Sequence, residues 1–583
     1  MDPMTPRHPN ELSQALAALH PYQRQAMAWT LVTAGLSLAP TLYMFQVYDR
    51  VVNSRNLGTL AMLTLLVVGL YAVMVLIDAV REDLLQRASH HLDRLLSVRV
   101  FDAIFAAHLR QTPVGGEQAL ADLRTLREFV VSPAAQALME SPGAVLFLLC
   151  IFWISPWLGL AALAGATVQV LLAGWTERRT QPALVEAQRA STGAGLYARG
   201  ALDNAQVIES MGMLEGVHDR WMRLQRRGLA LQAQASDHAG LSSALARTVQ
   251  TLQGSVLLGA GCWFYLRGQL AEGGMIIVAS ILGAKVLQPL VKAVAQWKLL
   301  VQARDARHRL QSLLSQFPAR PAQMPLPAPS GRLSVQGLTV TVPGPEGHLA
   351  LLRNVGFALP PGAVMAVIGP SGAGKTTLAR ALLGLLPSVG DKVRLDGIDP
   401  HARDKELLGE HLGYLPQEVA LFDGTLAENV ARFGPVDAQR VQAACHTAGL
   451  DSWIAQLPQG MDTPIGPAGA FLSGGQRQRV GLARAIYGDP ALVILDEPYS
   501  NLDEEGEAAV LQVVQGLKQR GATTILVTHQ PSMLTVADTV MVLRDGAVQA
   551  FGPRDAVLAS LAKAGEAPAK VASAARTPSL ETA

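Results

Sequence analysis

The sequence predicts an all-α membrane domain of six helices followed by an α/β domain with a phosphate loop, and three observations carry that prediction. Half of the 583 residues are hydrophobic, mean hydropathy is +0.24, and the apolar excess lies before about Val301. A proline-rich stretch, Gln316 to Ser330 (QFPARPAQMPLPAPS), then interrupts the chain. Beyond it, the apolar run Val364–Ile368 feeds Gly369-Pro370-Ser371-Gly372-Ala373-Gly374-Lys375-Thr376. A chain this long exceeds one ordinary hydrophobic core, so two or more domains are expected.

Six apolar stretches approach the roughly 20 residues that a helix needs to cross a bilayer. They fall at about Ala26–Val47, Leu57–Ile77, Ala137–Ile154, Trp157–Trp175, Thr248–Leu266 and Met275–Val294. Pro40 and Pro289 interrupt two of them, which neighbouring helices can accommodate. Ser155-Pro156 makes the third and fourth a tight hairpin. The links 81–136 and 176–247 are long and rich in arginine (Arg81, Arg87, Arg94, Arg99, Arg178, Arg179, Arg226, Arg227), whereas the other three are short and carry few cations. The positive-inside bias therefore puts the long links, both termini and the second domain in the cytosol. Leu84, Leu85, Leu92, Leu95 and Leu96 give the first long link a helical apolar face. The expected organisation is a cytoplasmic segment 1–25, a membrane domain 26–315, a linker 316–330, an α/β domain 331–562 and a disordered tail 563–583.

Lys285 lies about 15 Å into the last stretch, at 1.5 Å per residue. It either faces a cavity or a partner, or snorkels toward the cytosolic interface, where Lys292 and Lys298 follow. A net charge of +2 gives no electrostatic reason to expect nucleic acid. Cys150, Cys262 and Cys445 are too scattered for a disulfide or metal pattern, and the polar N-terminus carries no secretory signal.

The glycine-rich turn between a buried strand and a helix aims backbone N–H groups and a helix N-terminus at one point, which suits phosphate. Lys375 can reach terminal phosphates, and the Thr376 hydroxyl can ligate their magnesium ion. The strand Ala491–Leu495 ends in Asp496-Glu497, one placed for magnesium and the other to orient and polarise an attacking water. Upstream, Leu472-Ser473-Gly474-Gly475-Gln476 forms a second anion-binding helix start. His529, after the strand Thr524–Val527, can bond a γ-phosphate. Gln417, after Leu412–Pro416, can offer magnesium a neutral oxygen, and Ser500–Asp503 closes the set.

This ordered combination resembles the ATP-binding cassette family over about Leu333–Leu558. The resemblance implies ATP and Mg2+ as ligands. Gly369–Thr376 with Thr377 would be Walker A, Gln417 the Q-loop and Leu472–Gln476 the signature. Asp496 and Glu497 would be Walker B, Ser500–Asp503 the D-loop and His529 the switch histidine. With one cassette and six spans, the chain looks like a half-transporter of the type I exporter fold. Both halves of its site are intact, which favours a homodimer. Tyr43–Val52, Val207–Met213 and Gly274 to Lys298 narrow the resemblance to type I secretion ATPases of the protease-exporter kind. Gly413–Gln417 with Leu421–Thr425 fits that group too, and by analogy 114–126 and 204–215 would dock on the ATPase domains.

Two departures stand out: Val340–Pro343 offers no ring for adenine, and Pro467 stands where exporters commonly carry glutamate. The first leaves the choice of ATP over GTP open. The first expectation is an inner-membrane ATPase and permease that moves an unfolded protein with an uncleaved C-terminal signal from cytosol to exterior. It implies a periplasmic adaptor, an outer-membrane channel and surrounding membrane lipid as partners. About 25 residues precede the first span, too few for a peptidase domain, so no leader processing is expected. The alternatives are a lipid, peptide or drug exporter, and a non-transporting regulator; intact Glu497 and His529 argue against the latter.

Overall fold

The computed structural model describes residues 11–110, 116–270, 272–319, 327–344, 347–386, 393–400, 405–500 and 502–563. Residues 320–326 of the proline-rich linker, Asn501 and the tail beyond Lys563 lie outside the described residues, as does the start of the expected docking segment 114–126. The chain divides into two units, Met1–Ala319 and Arg320–Ala583, at a boundary inside the proline-rich stretch.

The first unit is helical: α1 (Glu11–Ala17), α2 (His20–Leu36), α3 (Ala39–Gln46), α4 (Val52–Ser54), α5 (Leu57–Leu109), α6 (Gly116–Val131), α7 (Pro133–Ile154), α8 (Pro156–Asp203), α9 (Ala205–Ser210), α10 (Leu214–Leu266), α11 (Gly274–Ala295) and α12 (Trp297–Gln316). The first apolar stretch breaks between α2 and α3 just before Pro40, whose ring cannot continue a helix without loss of a hydrogen bond. At Ser155 the backbone is extended, and α8 starts on Pro156, where a missing N–H costs nothing. The arginine-rich links continue as helix far beyond the apolar segments, in α5, α8 and α10. Leu85, Leu92 and Leu96 form the buried stripe expected of α5, and Leu92 and Leu96 pack with Leu12, Leu123 and Leu310. Leu95 departs from that stripe and is exposed.

Among the described residues, five helical stretches are long and apolar enough to span a membrane: Glu11–Ser54, Leu57–Leu109, Gln118–Ile154, Pro156–Asp203 and Gly274–Ala295. The remaining expected span, Thr248–Leu266, forms the end of α10 but is more polar than the others. Packing explains its polarity. Gln250 and Gln253 donate to the Ala284 and Gly283 carbonyls of α11 at 2.9 and 3.1 Å, and Ser280 donates back to Gly254 at 2.8 Å. A Cβ on Gly165 would stand 1.7 Å from the Gln253 amide oxygen, so glycine is what lets α8 approach this cross-link. Lys285 turns into the bundle, donating to the Ser37 carbonyl at 2.6 Å.

The second unit combines an antiparallel sheet with a six-stranded sheet. β1 (Leu333–Gly344), β2 (Gly347–Leu359) and β4 (Val393–Leu395) form the first, in the order β2-β1-β4. β3 (Val364–Ile368), β5 (Leu412–Leu415), β6 (Leu492–Asp496), β7 (Thr523–Val527), β8 (Thr539–Arg544) and β9 (Ala547–Pro553) form the second, in the order β5-β6-β7-β3-β8-β9. All its pairings are parallel except β8 with β9. β3, β6 and β7 are buried along nearly their whole length because helices cover both faces of such a sheet. The helices are α13 (Lys375–Leu382), α14 (Lys405–Gly409), α15 (Leu426–Val430), α16 (Ala438–Thr447), α17 (Asp451–Ile454), α18 (Gly474–Ile486), α19 (Glu504–Gln519) and α20 (Arg554–Lys563).

Candidate nucleotide site

Strand order assembles the site. β5, β6, β7 and β3 are consecutive neighbours, and the register matches Leu415 to Leu495, Asp496 to Val527 and Val367 to Val527. Their carboxyl ends therefore finish at one edge. Gln417, Asp496-Glu497, Thr528-His529 and the loop from Gly369 follow those ends directly, at the edge where open α/β sheets bind ligands.

The loop Gly369–Gly374 returns to α13 through three glycines with positive φ: 154° at Gly369, 80° at Gly372 and 95° at Gly374. A Cβ on Gly369 would stand 2.1 Å from the Leu543 carbonyl oxygen, so no other residue fits this strand-to-loop turn. Ser371 is exposed, Ala373 is buried, and Thr376 and Thr377 open α13 half-buried. Lys375 is buried and folds back over the loop, donating to the carbonyls of Gly369 at 2.9 Å and Pro370 at 3.0 Å. Burial pushes its ammonium down from the ordinary lysine range, against the pull of Glu497 and Asp496.

Asp496 is 1% exposed, and neither of its carboxylate oxygens accepts a well-formed hydrogen bond. Burial pushes this carboxyl above the ordinary aspartate range; the neighbouring Thr376 hydroxyl pulls it back, Glu497 adds to the rise, and Arg380 and Lys375 oppose it. A buried carboxylate without donors is costly alone and well suited to a hard cation. With the Thr376 hydroxyl beside it, this is the donor chemistry magnesium requires. Glu497, by contrast, is engaged at both oxygens. Gln417 donates to one at 2.9 Å, and His529 Nε2 lies 3.2 Å from the other. Its backbone holds φ 48°, a left-handed conformation unusual for a glutamate, and its N–H donates to Val527 at 3.1 Å.

Ser473 caps α18, and Gln476 bonds back to it: the Gln476 N–H donates to Ser473 Oγ at 3.2 Å, and the Ser473 N–H donates to Gln476 Oε1 at 2.9 Å. This reciprocal box fixes the entry of the helix and leaves the N–H groups of Gly474 and Gly475 at its start. α18 packs on α15, α16 and β5, whereas α13 packs on β2 and β6. The signature is thus built on a different flank of the unit from the phosphate loop. Gln478 of α18 connects it to Walker B by donating to the Glu497 carbonyl at 3.4 Å.

One residue of this edge went unread in the sequence. The Tyr499 hydroxyl accepts the His529 N–H at 2.6 Å and the Thr528 hydroxyl at 3.2 Å, fixing the turn that bears the histidine. Its signal was a tyrosine two places after the acidic pair, a ring with a polar tip that seeks a partner when buried. Val340 is buried in the core of the unit, so the stretch that lacks a ring also turns one side chain away from any ligand.

Known proteins agree with this construction. Residues 352–500 match the ABC transporter family and residues 26–289 the ABC transporter transmembrane region. The chain is 38% identical over 525 residues to the type I secretion system ATP-binding protein PrsD of Rhizobium meliloti, covering 90% of each chain. It is 29% identical over 555 residues to the cyclolysin secretion/processing ATP-binding protein CyaB of Bordetella pertussis, covering 91% of this chain and 75% of that one. A bacterial Atm1-family ABC exporter with ATP bound shares the fold, with a TM-score of 0.79, 22% identity and coverage of 93% and 97%. Fold and site together define a multi-pass membrane protein that binds and hydrolyses ATP. The chain belongs to the ABC transporter family, with a helical exporter domain ahead of its α/β nucleotide-binding domain, and it is similar to type I secretion ATP-binding proteins along most of its length.

Proposed function

We propose that the chain is the ATP-driven permease of a type I secretion system, moving an unfolded polypeptide with a C-terminal signal out of the cytosol. It is a protein exporter; the 38% identity to a type I secretion ATP-binding protein over 90% of both chains is the observation that carries this reading. Two copies would form the working unit in the inner membrane, with termini and ATPase domains cytoplasmic. A periplasmic adaptor and an outer-membrane channel would complete the route.

The geometry supports a division of labour in ATP hydrolysis. Gly369, Ser371, Gly372, Ala373, Gly374, Lys375, Thr376 and Thr377 would cradle the phosphates. Lys375 would exchange the Gly369 and Pro370 carbonyls for phosphate oxygens. Thr376, Gln417 and Asp496 would hold Mg2+, which when bound neutralises charge on the phosphate oxygens. Glu497 would orient and polarise the attacking water, kept in place by Gln417 and His529. Ser473, Gly474, Gly475 and Gln476 would close over the ATP of the second copy, placing a helix start against the γ-phosphate. This flanking position of α18 is what a two-copy site requires.

ATP hydrolysis by the full chain in lipid nanodiscs, titrated with C-terminal segments of candidate secreted proteins, tests the reading. One segment should shift the rate saturably where its scrambled version does not. A response to lipids or small amphiphiles alone would instead identify a lipid or drug exporter.

A further inference from the structure

Two cavities in the helical unit share a wall. One, of about 280 Å³, lies among α2, α5, α7 and α11, and its charged lining is Arg81, Glu140, Lys285 and Lys292. The other, of about 530 Å³, lies between α10 and α11 and is lined by the neutral polar side chains of Gln250, Thr251, Ser255 and Ser280. Lys285 and Gln288 of α11 line both.

The charges of the first cavity do not balance. Lys292 is neutralised by Glu140, with 2.8 Å from its ammonium to each carboxylate oxygen. Arg81 pairs with Asp78 at 3.3 Å through one terminal nitrogen, while its Nε is buried without a partner. Lys285 faces no carboxylate among the described residues. Its ammonium holds the Ser37 carbonyl at 2.6 Å and lies 5.6 Å from the centre of the Phe147 ring. A cation inside a bundle with only a neutral acceptor and a ring is expensive, and such residues mark ligand or ion pathways.

From this surplus positive charge we propose that the cavity binds carboxylate side chains of the polypeptide during export, with Lys285 as the principal contact. The inference rests on the protein-exporter reading. A carboxylate suits the site because it supplies the anionic acceptor that Lys285 and Arg81 Nε lack. The arrangement favours a threaded chain over a lipid headgroup. Polar side chains recur at Lys292, Gln288 and Lys285 on α11, and at Thr30 and Thr33 on α2 with Ser37 just after it. That is a stripe of about 10 Å along each axis at 1.5 Å per residue. A headgroup keeps to one level at the interface, whereas Lys285 sits midway along α11 and opens onto the second cavity, where Gln250, Thr251, Ser255 and Ser280 continue the polar contacts.

The test uses the full chain in phosphatidylcholine nanodiscs with fluorescein-labelled oligoglutamate and oligoglutamine peptides of equal length. Oligoglutamate should bind about ten-fold more tightly, a difference worth about 1.4 kcal/mol. Lys285→Gln should equalise the two and Lys285→Arg should keep the preference. Gln288→Glu, which retains every cation but adds a carboxylate beside Lys285, should also erase it. Equal binding by the wild type, or a preference that survives Lys285→Gln and Gln288→Glu, overturns the proposal. So does a preference abolished by phosphatidylglycerol in the nanodisc, which would assign the cavity to a lipid headgroup. If neither peptide binds while lipids or amphiphiles alone stimulate hydrolysis, it is the protein-exporter reading that fails.

Discussion

Asp122 in the helical unit and Asp496 in the nucleotide-binding unit are both buried aspartates, 3% exposed for the Asp122 side chain and 1% for Asp496, and the protein treats them in opposite ways. Asp122 receives Arg309 as a two-pronged pair, both bonds at 2.7 Å, and Gln118 at 2.9 Å. It ties α6 to α12, and both of its oxygens are engaged. Asp496, at the end of the innermost kind of strand, has a sheet around it, only the Thr376 hydroxyl beside it and no well-formed hydrogen bond to either oxygen. A buried carboxylate with a full set of donors is a staple, whereas one without donors stores a cost that a cation can relieve. The distinction lies in the partners, because burial is nearly the same.

The largest effect is expected at Glu497, the neighbour that shares the site but is held by Gln417 and His529. Glu497→Gln should cut hydrolysis by at least about 100-fold, the contribution of a positioned base, while nucleotide still binds. Phosphate release and nucleotide-analogue fluorescence in the same preparation would read both, and near-normal turnover would remove Glu497 from its role.

The two aspartates should then diverge on substitution. Asp496→Asn should abolish magnesium-dependent turnover yet raise the stability of the ligand-free chain by about 1–3 kcal/mol, since a neutral amide costs less to bury than an unpaired carboxylate. Asp122→Ala should do the reverse. It should lower stability by about 2–3 kcal/mol, held below the full cost of a broken buried pair by the partial exposure of Arg309, and leave turnover per folded molecule intact. Thermal unfolding beside ATPase assays separates the outcomes. Acidity sharpens the contrast. The Asp496 carboxyl titrates above its unfolded value, so between those two values the folded chain binds more protons and stability rises as pH falls. Asp496→Asn should remove that part of the pH dependence. If the wild type and this variant change in parallel on acidification, Asp496 carries no unrelieved charge in the folded chain.

The smallest effect belongs to Tyr499. Tyr499→Phe removes the acceptor of the His529 N–H, worth about 1 kcal/mol, so hydrolysis should fall about five-fold with little change in nucleotide affinity. A loss of affinity without a loss of rate would make Tyr499 a binding residue instead of a support for the histidine.

The phosphate loop was legible because its demands are local: glycines where φ is positive and a lysine at a helix start. The acidic pair, Gln417 and His529 could each be read as a strand-end residue, but nothing in their spacing says that Glu497 touches both. That follows from β5, β6 and β7 being neighbours, an order unrelated to their order in the chain. Tyr499 was invisible for the same reason, its partners being 29 and 30 residues away. In the helical unit, the polar end of α10 reads as a weak span until α11 is seen to accept its glutamines, and Leu95 fits a periodic stripe yet is exposed beside the buried Leu92 and Leu96.

By itself the sequence determined the two-part organisation, the long apolar helices, the phosphate loop and the family, because each depends on composition or on residues within a turn or two of one another. The tertiary structure alone decided which carboxylate is stapled and which is left without donors, where Lys285 points, and that the glutamate is gripped from two sides. Those are matters of which distant side chains become neighbours, and hydrogen-bond and charge satisfaction act only at contact distance.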